Sequence, residues 1–437
     1  MRWWNTYKIL HDMKEKLHWS AAEIRRYQFW KLRQIVRFAY HNSPFYREFY
    51  DKAGFSPDQV VSFEDITKIP LLQKKQIQET DPSHVVTQRD ENGEPADLDW
   101  MVENTSGSTG RPLTIKRTWG DLYHIKAKII RAFSQTGFRF YHRQAVIKSS
   151  AESLTGKHWF ERLGILRKYW MAVTVSPEFN LESLRRIRPQ HIHAYPSGVL
   201  AIAELLIERG QTLDIPVICT GAEVLDHISR EKLQEAFNAE IFDLYGTREV
   251  GNISWECPAH NGMHVNEDAL ILELLDESGA PVPDGEEGQV VVTYLDGMDF
   301  PFIRYNIGDR AIRMPGICSC GIEFSRLKQV TGRSDSRIRL PSGKWISGLV
   351  FQELRDTTWL NAFRIVQDDE KAIKLQIAVR SKPQKRQLDA LVKKTRKLVQ
   401  DELDVIPEIV DKLEYDNSGK IKAVVCNLTS DDAPLSK

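Results

Sequence analysis

Between residues 143 and 250, short apolar runs alternate with stretches of helical periodicity, and nothing else in the chain restricts its fold as strongly. Ala145-Val146-Ile147, His191–Ala194, Ile215–Cys219 and Glu240–Leu244 read as strands. Leu200–Arg209 and Arg230–Phe237 read as helices. Such alternation predicts parallel, layered α/β sheets. From residue 270 the pattern changes: LILELLD, a DESG turn, QVVVTYL, PFIRYN and RAIRM read as successive short strands of an antiparallel barrel or sheet. The last hundred residues form another unit. There FRIVQ and KAIKLQIAV flank the turn DDEK, a charged helix KRQLDALVKKTRKLVQDEL follows, and EIVDKLEY and IKAVVCNL flank DNSG. That pattern is a small α+β domain with its own hairpins. Upstream, residues 20–54 are helical, with a stop near Asn42-Ser43-Pro44. At 437 residues the chain exceeds what one hydrophobic core usually serves, so two or more domains are expected.

Residues 104–113 read NTSGSTGRPL, a run of small hydroxyl and glycine residues in a chain that is 27% charged. Glycine costs backbone entropy and Ser/Thr side chains compete with the backbone for hydrogen bonds, so a packed element gains little from them. The run suits a loop whose N–H groups and hydroxyls converge on phosphate oxygens. Met101 and Val102 before it and Leu113 and Ile115 after it read as strands, and Pro112 stiffens its exit. Without Lys-Ser/Thr after the second glycine it is no Walker loop, and it lacks the three-glycine dinucleotide spacing. A flexible linker is the plain alternative.

Lys+Arg and Asp+Glu both number 60, so net charge does not point to nucleic acid. Five cysteines are too few for a disulfide scaffold, which fits a reducing cytoplasm. No apolar run approaches the about 20 residues of a membrane span, and MRWWNTYKILHDMKEK lacks a signal peptide's apolar core. Residues 1–50 carry ten Lys/Arg against four Asp/Glu, with Trp3, Trp4, Trp19 and Trp30 interspersed. Peripheral membrane contact is one reading of this segment. Packing of the aromatic faces on the main body is the expected one.

TGAE (220–223), YGTRE (245–249), RYNIGD (304–309), GRSD (332–335) and NSGKIK (417–422) stand in order behind SGSTG. Together they resemble the landmarks of the adenylate-forming acyl-CoA synthetase superfamily. FAYHNSPFYREFYDKAGF and the run from Cys318 to Asp335 resemble its phenylacetate–CoA ligase branch. YGTRE is more similar to members of that branch in capsular-polysaccharide biosynthesis and deazaflavin-coenzyme synthesis. The resemblance implies an α/β fold: a large N-terminal domain of layered α/β sheets with a small β-barrel-like part (1–332), and a small, mobile α+β C-terminal domain (333–437).

The same resemblance implies roles for residues. Ser106, Gly107, Ser108, Thr109 and Gly110 wrap the β- and γ-phosphates of ATP. Gly221, Ala222 and Glu223 border the adenine, Tyr245 stacks on it, and Gly246 allows close approach, with Thr247 beside them in the nucleotide site. Glu249 holds Mg2+, a hard cation suited to carboxylate and phosphate oxygens. Asp309 accepts the ribose hydroxyls, and Arg333 contacts the nucleotide. Lys420 brings its ammonium between the two reacting anions, and Asp335 is the hinge on which the C-terminal domain turns. Two positions depart from the pattern. Leu113 stands where a lysine is common, and Arg248 stands where Ser or Thr is common. Arg248 either recognises an anionic substrate or pairs with a nearby carboxylate.

CPAHNGMH (257–264) and ICSCG (317–321) add three cysteines and two histidines in loop contexts. Thiolates and imidazole suit Zn2+ in a closed tetrahedral, structural site. Cys257, His264, Cys318 and Cys320 are the expected ligands, with His260 as the substitute for His264. The alternative is a set of buried, unconnected thiols.

These readings converge on a cytoplasmic ligase that makes acyl-AMP from ATP and a small-molecule carboxylic acid, then transfers the acyl group to coenzyme A. Two rivals remain. One is an AMP-transferring synthetase acting on a hydroxyl-bearing cofactor or polysaccharide precursor; the other is a non-catalytic nucleotide-binding scaffold. No nucleic-acid partner is expected, and a homodimer is left open.

Overall fold

Ser20 starts the longest helix, Ala21–Asn42, with a reciprocal cap: its hydroxyl accepts the Glu23 N–H while the Glu23 carboxylate accepts the Ser20 N–H at 2.8 Å. Ser43 ends that helix in extended backbone, and its hydroxyl caps the next one, Pro44–Lys52. The stop expected at Asn42-Ser43-Pro44 is therefore a junction between two helices. In this computed structural model the described residues are 2–105, 113–148, 159–333, 337–357, 359–379, 381–413 and 423–428. They sort into two compact units. One comprises Met1–Phe140, Cys219–Ala222 and Phe242–Val330; the other comprises Tyr141–Ile218, Glu223–Ile241 and Thr331–Lys437.

The first unit packs Leu32, Ile35, Val36 and Ala39 of the long helix with sheet residues such as Ile253, Leu270, Val292 and Tyr305 in one core. The sheet strands stand in the order Leu270–Leu275, Glu287–Tyr294, Tyr305–Met314, Arg326–Arg333, Met263–Val265, Gly251–Glu256, Glu240–Thr247. The first three form an antiparallel meander, registered Leu270 to Tyr294 and Val292 to Tyr305. PFIRYN and RAIRM, expected as two strands, form the single strand Tyr305–Met314, because alternate side chains Tyr305, Ile307, Asp309 and Ala311 continue one buried face across both. A short strand, Leu72–Gln73, runs parallel to Tyr305–Asn306 and delivers Lys74 to the site side.

The aromatic residues of the N-terminus divide between core and solvent. Trp4, Tyr7 and Trp30 are 59%, 55% and 53% exposed, while Met13, Leu17, Ile24 and Leu32 on the opposite sides of their helices are buried. Tyr46 and Tyr50 are fully buried in the core of the first unit, and Phe29, Phe45 and Phe49 pack against it, so aromatic faces do pack on the main body while Trp4 and Trp30 stay in solvent.

The second unit contains the parallel strands Lys168–Ala172, Gln144–Lys148 and His191–Ala194. Helices Pro177–Ile187, Pro196–Glu208 and His227–Phe237 bury Leu184, Val199, Ile202 and Leu233 against Ala145, Ile147 and Ile192. Gly198 is needed here: a Cβ on it would lie 2.5 Å from Val173 Cγ1. The chain's C-terminal portion has a separate core built on a four-stranded sheet. Leu360–Gln367 and Ala372–Val379 form the expected hairpin, and the helix Lys385–Leu398 follows. The last two strands do not pair with each other, contrary to the sequence reading. Asp404–Val410 lies parallel to Ala372–Val379, and Val424–Cys426 lies parallel to Leu360–Gln367, at opposite edges. The helical crossover makes this possible, since parallel neighbours require a long connection.

Candidate active site and metal centre

The hydroxyl-rich run itself, residues 106–112, lies outside the described residues, as do Asp335 and Lys420. Ser106, Gly107, Ser108, Thr109 and Gly110 are therefore known here only through the ends that hold them. Met101–Asn104 and Thr114–Arg117 form an antiparallel hairpin registered Asn104 to Thr114. Thr105 N–H donates to the Leu113 carbonyl at 2.9 Å, and Leu113 N–H donates to Thr105 Oγ1 at 3.0 Å. A buried threonine thus closes the base from which the run departs.

TGAE lies against the strand that leads into YGTRE. A Cβ on Gly221 would sit 2.8 Å from the Leu244 carbonyl oxygen, and one on Gly246 would sit 2.6 Å from that of Gly251. The close approach that Gly246 permits is thus to the neighbouring strand, Gly251–Glu256. Ala222 holds φ +67°, a left-handed conformation unusual for a residue with a Cβ. Glu223 turns its carboxylate to the start of helix Pro196–Glu208, accepting from Ser197 N–H at 2.9 Å and Ser197 Oγ at 3.0 Å. That contact satisfies an otherwise unpaired helix donor.

Tyr245 donates its hydroxyl to Asp309 Oδ2 at 2.8 Å, both side chains being buried. Thr247 Oγ1 accepts the Val250 N–H and tightens the turn that follows. Glu249, 4% exposed, faces two donors through Oε1: Lys74 Nζ at 3.1 Å and the Tyr305 hydroxyl at 3.3 Å. A buried carboxylate needs such partners. A carboxylate oxygen is a ligand type that Mg2+ takes, and here Oε1 is neutralised by the Lys74 ammonium. Arg248 is exposed, and among the described residues its guanidinium has no carboxylate partner. Arg333 is half-buried at the end of strand Arg326–Arg333.

Three residues at this site escape a reading of the sequence. Lys74 is hidden in a polar stretch, LLQKKQIQ, that gives no signal. Tyr305 belongs to a recognised motif but looks like a packing residue. Arg117 carries a usable signal: in TIKR it shares its strand face with buried Ile115. Its guanidinium, 1% exposed, donates to Glu103 and to the carbonyls of Arg248 and Glu249. Lys128, fully buried, donates to the next carbonyl, that of Val250, and lies 4.0 Å from the Tyr294 ring centroid. Burial pushes its ammonium pKa down to about 7.

The Cys/His cluster forms as expected. The ligand atoms of Cys257, His264, Cys318 and Cys320 all lie within 4.8 Å of one another, the only such group among the described residues. Cys257 follows strand Gly251–Glu256, His264 sits in strand Met263–Val265, and Cys318 and Cys320 share a turn closed by Gly321 N–H on the Cys318 carbonyl. Gly262, at φ +80°, makes the intervening bend, where a Cβ would meet the Leu327 carbonyl oxygen at 2.8 Å. His264 Nδ1 is 3.2 Å from the Phe324 carbonyl, which only accepts, so Nδ1 carries the proton. Nε2 is then left as a lone pair 3.2 Å from Cys320 Sγ. Burial lowers the His264 pKa to about 4, which keeps the ring neutral, and raises that of Cys257 to about 12. His260 is no substitute: its Nδ1 lies 3.1 Å from Glu256 and its ring lies beside Phe242.

Residues 340–427 match the family of the CapK C-terminal domain. The chain is 27% identical over 329 residues to a phenylacetate–coenzyme A ligase of Thermus thermophilus, covering 72% of each protein. It is 26% identical over 338 residues to that of Escherichia coli, covering 73% of each. Among solved structures, it is similar to a 2-hydroxyisobutyryl-CoA ligase in the postadenylation state, in complex with an acyl-AMP (R3-HIB-AMP). The TM-score is 0.77 at 20% identity, over 94% of this chain and 92% of that one. It is also similar to an anthranilate CoA ligase in complex with anthranoyl-AMP, with a TM-score of 0.58 at 18% identity over 75% and 66%. These likenesses agree on the α/β fold.

Proposed function

Because this chain belongs to the adenylate-forming acyl-CoA synthetase superfamily, in its phenylacetate–CoA ligase-like branch, we propose that it is a ligase activating a small carboxylic acid with ATP. A carboxylate oxygen attacks the α-phosphorus, the bond to the bridging oxygen of pyrophosphate breaks, and acyl-AMP forms. The thiol of coenzyme A then attacks the acyl carbon, releasing AMP and leaving the thioester; its proton passes to solvent. The contact between YGTRE and RYNIGD carries this reading: Tyr245 bonds Asp309 and Tyr305 bonds Glu249, so two motifs about sixty residues apart build one acidic, aromatic site.

In this reading Asp309 accepts the ribose hydroxyls and Tyr245 presents its ring to the adenine beside Gly221, Ala222 and Glu223. Thr247 and Arg333 border the nucleotide, and Ser106 to Gly110 enclose the β- and γ-phosphates. Glu249 would hold Mg2+, which when bound offsets triphosphate charge. Lys420, in a C-terminal domain of residues 333–437 hinged at Asp335, stabilises charge on the reacting oxygens. The CapK match over residues 340–427 supports that domain boundary. Cys257, His264, Cys318 and Cys320 hold one structural Zn2+, since four protein ligands leave no open position.

The test is pyrophosphate release from ATP across a panel of carboxylic acids, with and without coenzyme A. Release that needs an acid, with a thioester formed when coenzyme A is present, is the expected result. A second reading keeps the same ATP site but transfers AMP itself to a hydroxyl-bearing cofactor or polysaccharide precursor, without a thioester step. Release that needs no carboxylic acid, with AMP left on a hydroxyl-bearing acceptor, would select a transfer of AMP itself. No release with any acid would remove the ligase reading.

A further inference from the structure

Trp4, Tyr7, His11 and Lys14 follow one another at helical spacing on the solvent side of helix Arg2–Glu15, and His18 continues the line just beyond it. The exposed rings of Trp4 and Tyr7 stack at 5.5 Å, and the Lys8 ammonium stands 5.7 Å from the Trp4 ring centroid. Met13 and Leu17, on the other side, are buried, so aliphatic residues hold the segment to the body. Trp19 follows at once, and ring contacts at 5.6 and 5.8 Å lead from it through Tyr27 to the exposed Trp30. At the end of the line lies a cleft of about 460 Å³ lined by Lys14, His18 and Arg139, with no acidic residue among the described residues of its wall. Cys257 and Cys320 also border it. With zinc bound, three thiolates and one neutral imidazole leave one net negative charge, which the Lys14 ammonium and the Arg139 guanidinium outnumber.

We propose that this face docks on a bilayer containing anionic phospholipids, with Trp4, Tyr7 and Trp30 at the level of the headgroups and a lipid phosphate in the cleft between Lys14 and Arg139. The inference is independent of the ligase reading. Clustered exposed aromatic surface calls for a partner in a way that scattered apolar residues do not. Trp and Tyr rings, apolar in body and polar at one end, settle where lipid meets water. From Trp4 to Lys14 the line covers about 15 Å of helix, enough to lie along a surface. The contact is peripheral, since among the described residues no helix is long and apolar enough to cross a membrane. Charge selects the lipid. Lys8, Lys14 and Arg26 are exposed beside the rings and Arg139 is exposed at the cleft, and these cations complement an anionic headgroup layer. Of the acids on the same segment, Asp12 pairs with Lys16 and Glu23 serves the Ser20 cap, so Glu15 is the exposed acid that opposes them.

The full chain is sedimented with vesicles of phosphatidylcholine alone and of phosphatidylcholine mixed with phosphatidylglycerol, at low and at high salt. Wild type should sediment with the mixed vesicles at low salt, stay in solution with the neutral ones, and be partly released by salt, which screens the charged contacts. Lys14→Gln/Arg139→Gln should weaken binding at low salt by about thirtyfold, the share of two basic residues near an anionic surface. Trp4→Ser/Tyr7→Ser should remove the binding that survives high salt, because burial of apolar rings is not screened. All four side chains are exposed, so both variants should melt as wild type does. Trp30→Ser, on the other helix, is the second apolar variant should the double change loosen the first. A wild type that stays in solution with both kinds of vesicle overturns the proposal, and if sedimentation velocity then shows a dimer that Trp4→Ser/Tyr7→Ser dissociates, the face belongs to a second copy of the chain. Equal binding to neutral and anionic vesicles, or binding that neither pair of substitutions reduces, also overturns it.

Discussion

Asp309 and Tyr245 show how much one hydrogen bond can reveal about a site's chemistry. A carboxylate has two oxygens whose lone pairs can accept, and Asp309 Oδ2 accepts from the Tyr245 hydroxyl. If those accept ribose hydroxyls, Asp309→Asn removes charged hydrogen bonds of about 1.5–3 kcal/mol and weakens ATP binding by about ten- to a hundredfold. The control is 2′,3′-dideoxy-ATP, which should bind wild type and Asp309→Asn alike; an equal loss for both nucleotides would remove the ribose assignment. Lys128 supports a second prediction at this scale. Its folded pKa of about 7 lies below the ordinary lysine value, so the unfolded chain binds more protons between about pH 7 and 10. Stability must then rise with pH through that window, by up to about 1.4 kcal/mol per pH unit. Urea unfolding of wild type and Lys128→Met at pH 7 and 9 checks the sign: the difference between them should move in favour of wild type at the higher pH. A constant difference would mean that the Val250 carbonyl and the Tyr294 ring hold the ammonium charged. Neither Lys128 nor Arg117 is legible in the sequence as part of the site, because strand and helix periodicity mark buried faces but not which buried cation reaches which carbonyl.

At the scale of elements, local signals are legible and pairings less so. The Asn42-Ser43-Pro44 break, the 360–379 hairpin and the Lys385–Leu398 helix each carry their cause within a few residues, as caps, turn residues or periodicity. The strands around DNSG do not: their partners are set by a helix crossing the sheet, which no window around the turn reveals. The Cys/His cluster is legible despite its tight C-x-C spacing, since ligand chemistry needs only residue types and loops to bring them together. It ties the segment after Glu249 to the turn before strand Arg326–Arg333. Purified protein should therefore hold about one equivalent of zinc, lost in the Cys318→Ser/Cys320→Ser double variant. Chelation should lower the melting temperature and raise hydrogen exchange chiefly over 257–264 and 315–325. A metal-free wild type with the same exchange pattern in those segments would end the zinc assignment.

For the whole molecule, the decisive chemistry is shared between distant parts of the chain. Two anions must meet for acyl-AMP to form, and a positioned cation in a dry site lowers that barrier most. Among the residues given roles in the proposed reaction, Lys420 is the one offered for that position, and NSGKIK lies far along the sequence from the YGTRE and RYNIGD residues to which the proposal gives the nucleotide. The motif order is readable because each landmark carries its own residue signature; the acid is not, because apolar residues that line a pocket and those that fill a core look alike in sequence. The two half-reactions make different demands. Adenylation joins a carboxylate to the α-phosphate of ATP with cleavage of a phosphoanhydride, whereas thioester formation starts from a neutral acyl carbon and a thiol. Lys420→Ala should therefore abolish acyl-AMP formation, by about a hundredfold or more for a lost electrostatic donor. It should leave thioester formation from supplied acyl-AMP within a few-fold of wild type. Measuring both half-reactions on the same preparation separates this from misfolding, which would lower both. Equal loss of both activities in a protein that still binds AMP normally would mean that one arrangement of the chain serves both steps, and the exchange of the C-terminal domain about Asp335 would have to be given up.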